Sequence, residues 1–312
     1  VHTRMLSVDE AGISDAVSAL ANGDLVAIPT ETVYGLAGDA RCGMAVARIF
    51  EAKGRPSFNP LIVHVPDIAT ARLYGVWSDM AQTLAQIHWP GPLTLVLPLR
   101  ADAGLSTLVT AGQDSVALRV PAHPTALALL RAFGGPLAAP SANPSGQISP
   151  TRPPHVASGL GGRIAAILDG GACGVGVEST IIGLTGAPTL LRPGGLPTEA
   201  IEAAIGAPLA RHTDGDPITA PGQLGSHYAP NATMRLNADS AGPDEVLLGF
   251  GPTHGAALNL SPTGDLTEAA ANLFDHLHQM DRTARTIAVA PIPDHGLGRA
   301  INDRLRRAAA PR

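Results

Sequence analysis

Helix-period and strand-period segments take turns along this chain, and that alternation confines it to the α/β class. Ala16, Val17, Leu20 and Ala21 recur at helical spacing, Gly23 supplies a stop, and the short strand pattern "LVAIP" follows. The same order returns with "GMAVARIFEA" before "PLIVHV", "MAQTLAQIHW" before "LTLVLPL", and "PTALALLRAF" before "PLAAPSAN". "VALRVP", "IAAIL", "STIIGL" and "PTLLRP" read as further strands, so residues 1–206 are expected to form one mixed α/β domain. Residues 207–231 lose the periodicity in a run of Pro, Gly, Asp and Thr, a stretch expected to be a linker or lid. Residues 232–312 resume it with "EVLLGFG", "LTEAAANLFDHLHQMD", "TIAVAPIP" and "LGRAINDRLRRAA", a smaller α/β domain.

Composition excludes several classes. With a net charge of −5 and 3% aromatic residues, the chain lacks the basic field and stacking residues of a nucleic-acid binder, and no strong intrinsic nucleic-acid binding is expected. Cys42 and Cys173 are far apart and outside any C-x-x-C unit, which argues against a zinc site or a disulfide framework. No apolar run has the length of a membrane helix, and "VHTRMLSVDE" lacks the apolar core of a signal peptide; a soluble, cytoplasmic protein is expected.

Lys53 is the one lysine among 21 basic residues. A cation near a helix end offsets the helix dipole, but arginine would serve equally, whereas lysine offers a compact ammonium suited to a phosphate oxygen. Arg55 and Asn59 lie nearby on a loop stiffened by Pro56 and Pro60, a set of donors that suits a polyphosphate. The loop is no P-loop, because Gly54 follows the lysine. "ILDGGACGVGVEST" leads into a strand pattern and not the helix that a dinucleotide turn requires. His276 and His278, two apart on a helix, make a poor metal pair, and no metal site is expected.

Three more polar segments interrupt apolar ones. "LAAPSANPSGQISPT" opens from a strand into Ser141, Asn143, Ser145 and Ser149, at the kind of sheet end where α/β proteins collect ligands. "AIPTETVYGLAGDA" carries Thr30 and Thr32, with Tyr34 and Gly35 expected to close a turn. In "VALRVP", Arg119 either faces solvent on the alternate side or points inward as a cation for an acid.

In this order, "PTETVYGL", "KGRPSFNPLIVH", "PSANPSGQISPT", "VESTII" and "LLRPG" resemble the YrdC-type L-threonylcarbamoyladenylate synthase family, with K-x-R at Lys53 and Arg55 and S-x-N at Ser141 and Asn143. "HYAP", His227 to Pro230, resembles the linker end of the family's long form, although "GQLGS" stands where family members often carry basic residues. The resemblance implies a YrdC-like twisted mixed sheet with helices and a smaller Rossmann-like C-terminal domain. It also implies formation of threonylcarbamoyl-AMP and pyrophosphate from L-threonine, bicarbonate and ATP, with Mg²⁺ arriving on the nucleotide, and delivery of the product to a separate tRNA threonylcarbamoyl transferase acting at position 37. By the same resemblance, Lys53, Arg55, Ser141 and Asn143 are the catalytic set. Arg55, Asn59, Ser115, the Ala139 backbone, Ser149, Arg192 and Tyr228 would contact ATP, while Thr32, His64, Arg119, Ser141 and Ser179 would surround threonine. The alternatives are an RNA-binding module of related fold and an enzyme that adenylates carbamate from carbamoyl phosphate.

Overall fold

The structure, a computed structural model, describes residues 2–212, 219–223 and 227–311. Among these, one eleven-stranded sheet runs from edge to edge as Arg4–Leu6, Ala166–Leu168, Val26–Ile28, Gly35–Asp39, Leu137–Ala138, Ile62–His64, Ser115–Arg119, Leu93–Pro98, Thr180–Gly183, Thr189–Arg192 and Ala210–Arg211. Parallel and antiparallel pairs alternate irregularly, so the sheet is mixed.

The period-2 rule divides each strand between two cores. Val26 and Ile28 face the cluster that contains Ala16, Leu20, Leu129 and Leu130 of helices Glu10–Ala21 and Pro124–Phe133. Ala27 and Leu36 face the opposite cluster, with Ile49 of helix Gly43–Lys53 and Leu84 of helix Asp79–His88. Further along the sheet, Ile62, Val96, Ala117 and Ile181 point to a small third cluster that Ala220 of the linker completes. The candidate site lies against these strands.

The turn expected to close at Tyr34 and Gly35 joins Val26–Ile28 to a strand that was not expected, Gly35–Asp39, paired antiparallel with Val26–Ile28 and Leu137–Ala138. Its glycines hide the strand signal and also explain it. A β-carbon at Gly35 would lie 3.2 Å from Ala139 Cβ, and one at Gly38 3.1 Å from Leu25, so the neighbours pack where side chains would otherwise stand. The linker, expected to be loop throughout, contributes Ala210–Arg211 as an edge strand parallel to Thr189–Leu190.

The C-terminal unit is a four-stranded parallel sheet, ordered Thr233–Arg235, Thr286–Val289, Glu245–Gly249, Leu258–Asn259. Helix Leu266–Asp281 starts where Asp265 accepts hydrogen bonds from Thr267 N and Glu268 N, and it buries Ala270, Leu273, Phe274 and Leu277 at helical spacing. Those residues share one apolar cluster with Val33, Ile148 and Val177 of the large domain and Tyr228 of the linker, so the two domains pack through a common core. Gly176, at φ +82°, marks the close approach: a β-carbon there would sit 2.4 Å from the Ala270 carbonyl oxygen. The "GVG" run is thus structural, and it feeds strand Thr180–Gly183.

Candidate active site

A cavity opens between the strand ends of the large domain and the linker. The linker supplies Pro221, Gly222, His227 and Tyr228 to its wall; its residues 213–218 and 224–226 lie outside the described residues.

Arg119 settles the choice left open by its strand. Ser115–Arg119 is buried along its whole length, so there is no solvent side, and the guanidinium points inward. Its Nη2 donates to Glu31 Oε1 at 2.5 Å, its Nη1 to Thr32 Oγ1 at 2.9 Å, and its Nε approaches the Gly91 carbonyl at 3.3 Å. Glu31 is held in turn by Ala122 N at 2.9 Å. One hydrogen on each terminal nitrogen remains for a carboxylate. Thr30 and Thr32 share a hydroxyl contact at 2.9 Å, and Ser179 and Thr94 another at 2.7 Å. His64 lines the same wall, and burial together with the Arg119 charge pushes its imidazole down to about 3, so it is neutral at physiological pH.

Arg192 wraps around Ser179, donating to its carbonyl from Nε at 3.1 Å and from Nη2 at 2.9 Å. Arg55 lines the wall beside Ala139 and Ser141, its Nη2 on the Pro60 carbonyl at 3.0 Å, which fixes the stiff loop that carries it. Burial pulls Arg55 down to about 10 and also lowers Arg192; the Arg192 charge lowers Arg55 further, and the Arg304 charge lowers Arg192 further. Cations crowded without enough anions define a place for an incoming polyanion.

Lys53 is buried, and its contacts differ from the expected phosphate role. Nζ donates to the Ser141 and Asn143 carbonyls, both at 2.5 Å, while Ser145 N donates to the Lys53 carbonyl at 2.7 Å. The K-x-R helix end and the S-x-N loop are therefore one unit, and Lys53 stands behind the cavity wall instead of lining it. Asn59, Ser115, Asn143 and Ser149 are likewise buried outside the lining. Asn143 Nδ2 caps the Gln147 carbonyl at 3.0 Å, and Ser149 donates its hydroxyl to Glu178.

Glu178 is the residue that the sequence reading passed over, although it sits in "VEST" beside Ser179. Burial alone would raise its carboxyl; the Arg304 and Arg192 charges and the Ser149 hydroxyl hold it below the usual range. Its Oε2 accepts from Arg304 Nε at 2.7 Å, across the domain boundary. An acidic residue flanked by apolar Val177 and a strand was the available signal. Tyr228, expected at the nucleotide, lines the cavity in a left-handed conformation, φ +61°, at a cost of about 1–2 kcal/mol for an L-residue. Gly222 allows it: a β-carbon there would lie 2.7 Å from the Tyr228 hydroxyl.

Fold and cavity together define an α/β protein that encloses a small pocket rich in buried guanidinium groups and hydroxyls. Residues 18–194 match the family described as Telomere recombination, the Sua5, YciO and YrdC group, and residues 196–310 match the threonylcarbamoyl-AMP synthase C-terminal domain. The chain is 43% identical to the threonylcarbamoyl-AMP synthase of Bacillus subtilis over 99% of its own length and 96% of that protein. It is 41% identical to that of Pyrococcus abyssi, over 97% of this chain and 95% of that one. The crystal structure of P. abyssi Sua5 complexed with L-threonine superposes with a TM-score of 0.91, at 40% identity and 98% coverage of both chains. This chain belongs to the threonylcarbamoyl-AMP synthase family.

Proposed function

We propose that this protein makes threonylcarbamoyl-AMP from L-threonine, bicarbonate and ATP, as a nucleotidyltransferase. The observation that carries the reading is the presence, in one cavity, of an inward Arg119 flanked by hydroxyls together with two further crowded guanidinium groups, Arg55 and Arg192. Arg119, Thr32 and Ser179 hold the threonine carboxylate and neighbouring polar groups, with neutral His64 beside them. The threonine nitrogen attacks the bicarbonate carbon, and water is lost as the carbamate forms. A carbamate oxygen then attacks the α-phosphorus of ATP, and the bond to the departing pyrophosphate breaks.

Negative charge shifts onto the leaving phosphates in that step. Fixed donors stabilise it without reorganising at the moment of reaction, which is the part given to Arg55 and Arg192. Lys53 serves by holding the Ser141–Asn143 backbone that forms the wall. Mg²⁺ enters as part of the nucleotide substrate, since Glu31 and Glu178 are already engaged by arginines. The linker residues Gly222 and Tyr228 cover the site, keeping water from a hydrolysable mixed anhydride. The product passes to a separate transferase that modifies tRNA at adenosine 37. This takes place in the cytosol, where Cys42 and Cys173 remain free thiols.

Threonine-dependent pyrophosphate release is the test. Release that requires threonine and bicarbonate is expected; release driven by carbamoyl phosphate without threonine would overturn the reading in favour of a carbamoyl-adenylate enzyme.

A further inference from the structure

Arg304 belongs to the C-terminal helix Gly298–Ala309, yet its side chain has no solvent exposure and its partners belong to the cavity. Nε donates to Glu178 Oε2 at 2.7 Å, and Nη1 donates to the Pro193 carbonyl at 2.9 Å and to Asp303 Oδ2 at 2.7 Å. The guanidinium carbon lies 5.0 Å from the centroid of the Tyr228 ring. One planar group thus touches the segment after Arg192, the segment before Ser179 and the linker residue over the cavity. A lysine could not make all three contacts.

Tyr228 depends on such support. Its backbone is in the left-handed region and its buried hydroxyl has no hydrogen-bond partner among the described residues, so neither fixes the ring. The ring meets its neighbour His227 edge-on, with centroids 4.0 Å apart, and from the C-terminal domain it is held by Arg304 on the last helix and by Phe274, 5.8 Å away on helix Leu266–Asp281. Glu178, bound by Arg304 on one oxygen, accepts the Ser149 hydroxyl on the other.

We propose that Arg304 is a positioning residue for the nucleotide end of the site, acting from the C-terminal domain through the Tyr228 ring and the Glu178 carboxylate. This rests on the synthase function proposed above. A buried ion pair that only stabilised the fold would leave substrate affinities alone. A positioning residue changes the affinity of the substrate that its partners touch.

Steady-state pyrophosphate release by the full-length protein, with ATP and threonine varied in turn, separates the two. Arg304→Met is expected to raise the KM for ATP about tenfold and that for threonine less than about twofold, the scale of one lost positioned contact. Arg304→Lys, which keeps a charge near the ring, falls between and carries the test if the methionine variant does not fold. In a Tyr228→Ala background, Arg304→Met is expected to add less than about twofold, because residues acting as one unit are not additive. Unchanged KM values with only a lower melting temperature would overturn the proposal, as would a full tenfold effect persisting without Tyr228. If the wild type released no pyrophosphate with threonine, the synthase reading would fail by itself. Calorimetric binding of a non-hydrolysable ATP analogue to wild type and variant would then decide the Arg304 assignment, equal affinities sinking it.

Discussion

At the residue scale, Lys53 answers why a chain otherwise given to arginine keeps one lysine. Its ammonium sits 2.5 Å from two carbonyl oxygens in a fully buried space, where burial and the nearby Arg55 charge push its pKa well down. A planar, longer guanidinium cannot take that place without moving Ser141. Lys53→Arg is therefore expected to cut pyrophosphate release by about 10² to 10³, the effect of misplacing one preorganised group, although charge is kept; near-normal turnover would contradict it. Lys53→Met should leave the buried Asn143 carbonyl without its donor and take one of two donors from that of Ser141, and cost roughly 2 kcal/mol in urea unfolding. Arg119 makes a complementary case. Arg119→Lys keeps a cation for Glu31 but loses the two-pronged grip, so the threonine KM should rise about tenfold or more while the ATP KM stays near wild type. Equal losses for both substrates, with the fold intact, would refute the carboxylate assignment.

At the element scale, helix Pro153–Leu160 and helix Leu266–Asp281 meet through a pair of stacked imidazoles, His155 and His278, with ring centroids 3.9 Å apart. His155 Nδ1 accepts from Thr151 N at 3.2 Å, so its proton sits on Nε2, facing Asp275 Oδ1 at 3.3 Å. A second proton on Nδ1 would set two donors against each other. Burial, then His278 and Arg152, bring His155 down to about 4 against the opposing pull of Asp275; burial also lowers His278, with Asp275 and Asp281 opposing. Because the folded value lies below that of a free imidazole, the contact is at full strength above about pH 6.5 and weakens as the pH falls toward 4. The melting temperature of the wild type should drop across that window more steeply than that of His155→Asn, and parallel profiles would exclude the effect. This pair was illegible in the sequence, since His278 was weighed only against His276 on its own helix. Strands and helices with clean periodicity, such as Ile62–His64 and Leu266–Asp281, were legible. Gly35–Asp39 was not, because its packing partners replace the side chains that would have announced it. Among the site residues, Arg55, Arg119 and Arg192 could be read from their motifs, whereas Glu178 and Arg304 could not be paired, because nothing local links residues 126 positions apart.

At the scale of the molecule, the shared apolar cluster of Val33, Ile148, Val177, Phe274 and Leu277 makes the two domains mutually dependent. Calorimetry of the full chain is expected to show one cooperative unfolding transition, whereas two separated transitions would mean that the common core is only a docking contact. The sheet carries a further consequence, for synthesis. Its first strand, Arg4–Leu6, pairs with Ala166–Leu168, and Thr3 reaches the Ile164 carbonyl across 161 residues. A ribosome adding about 5–20 residues per second needs on the order of ten seconds to supply that partner. During that time the nascent Arg4–Leu6 segment lacks its partner edge, and a chaperone that shields it would meet the chain before the wall formed by Glu178, Ser179, Arg192 and the linker exists.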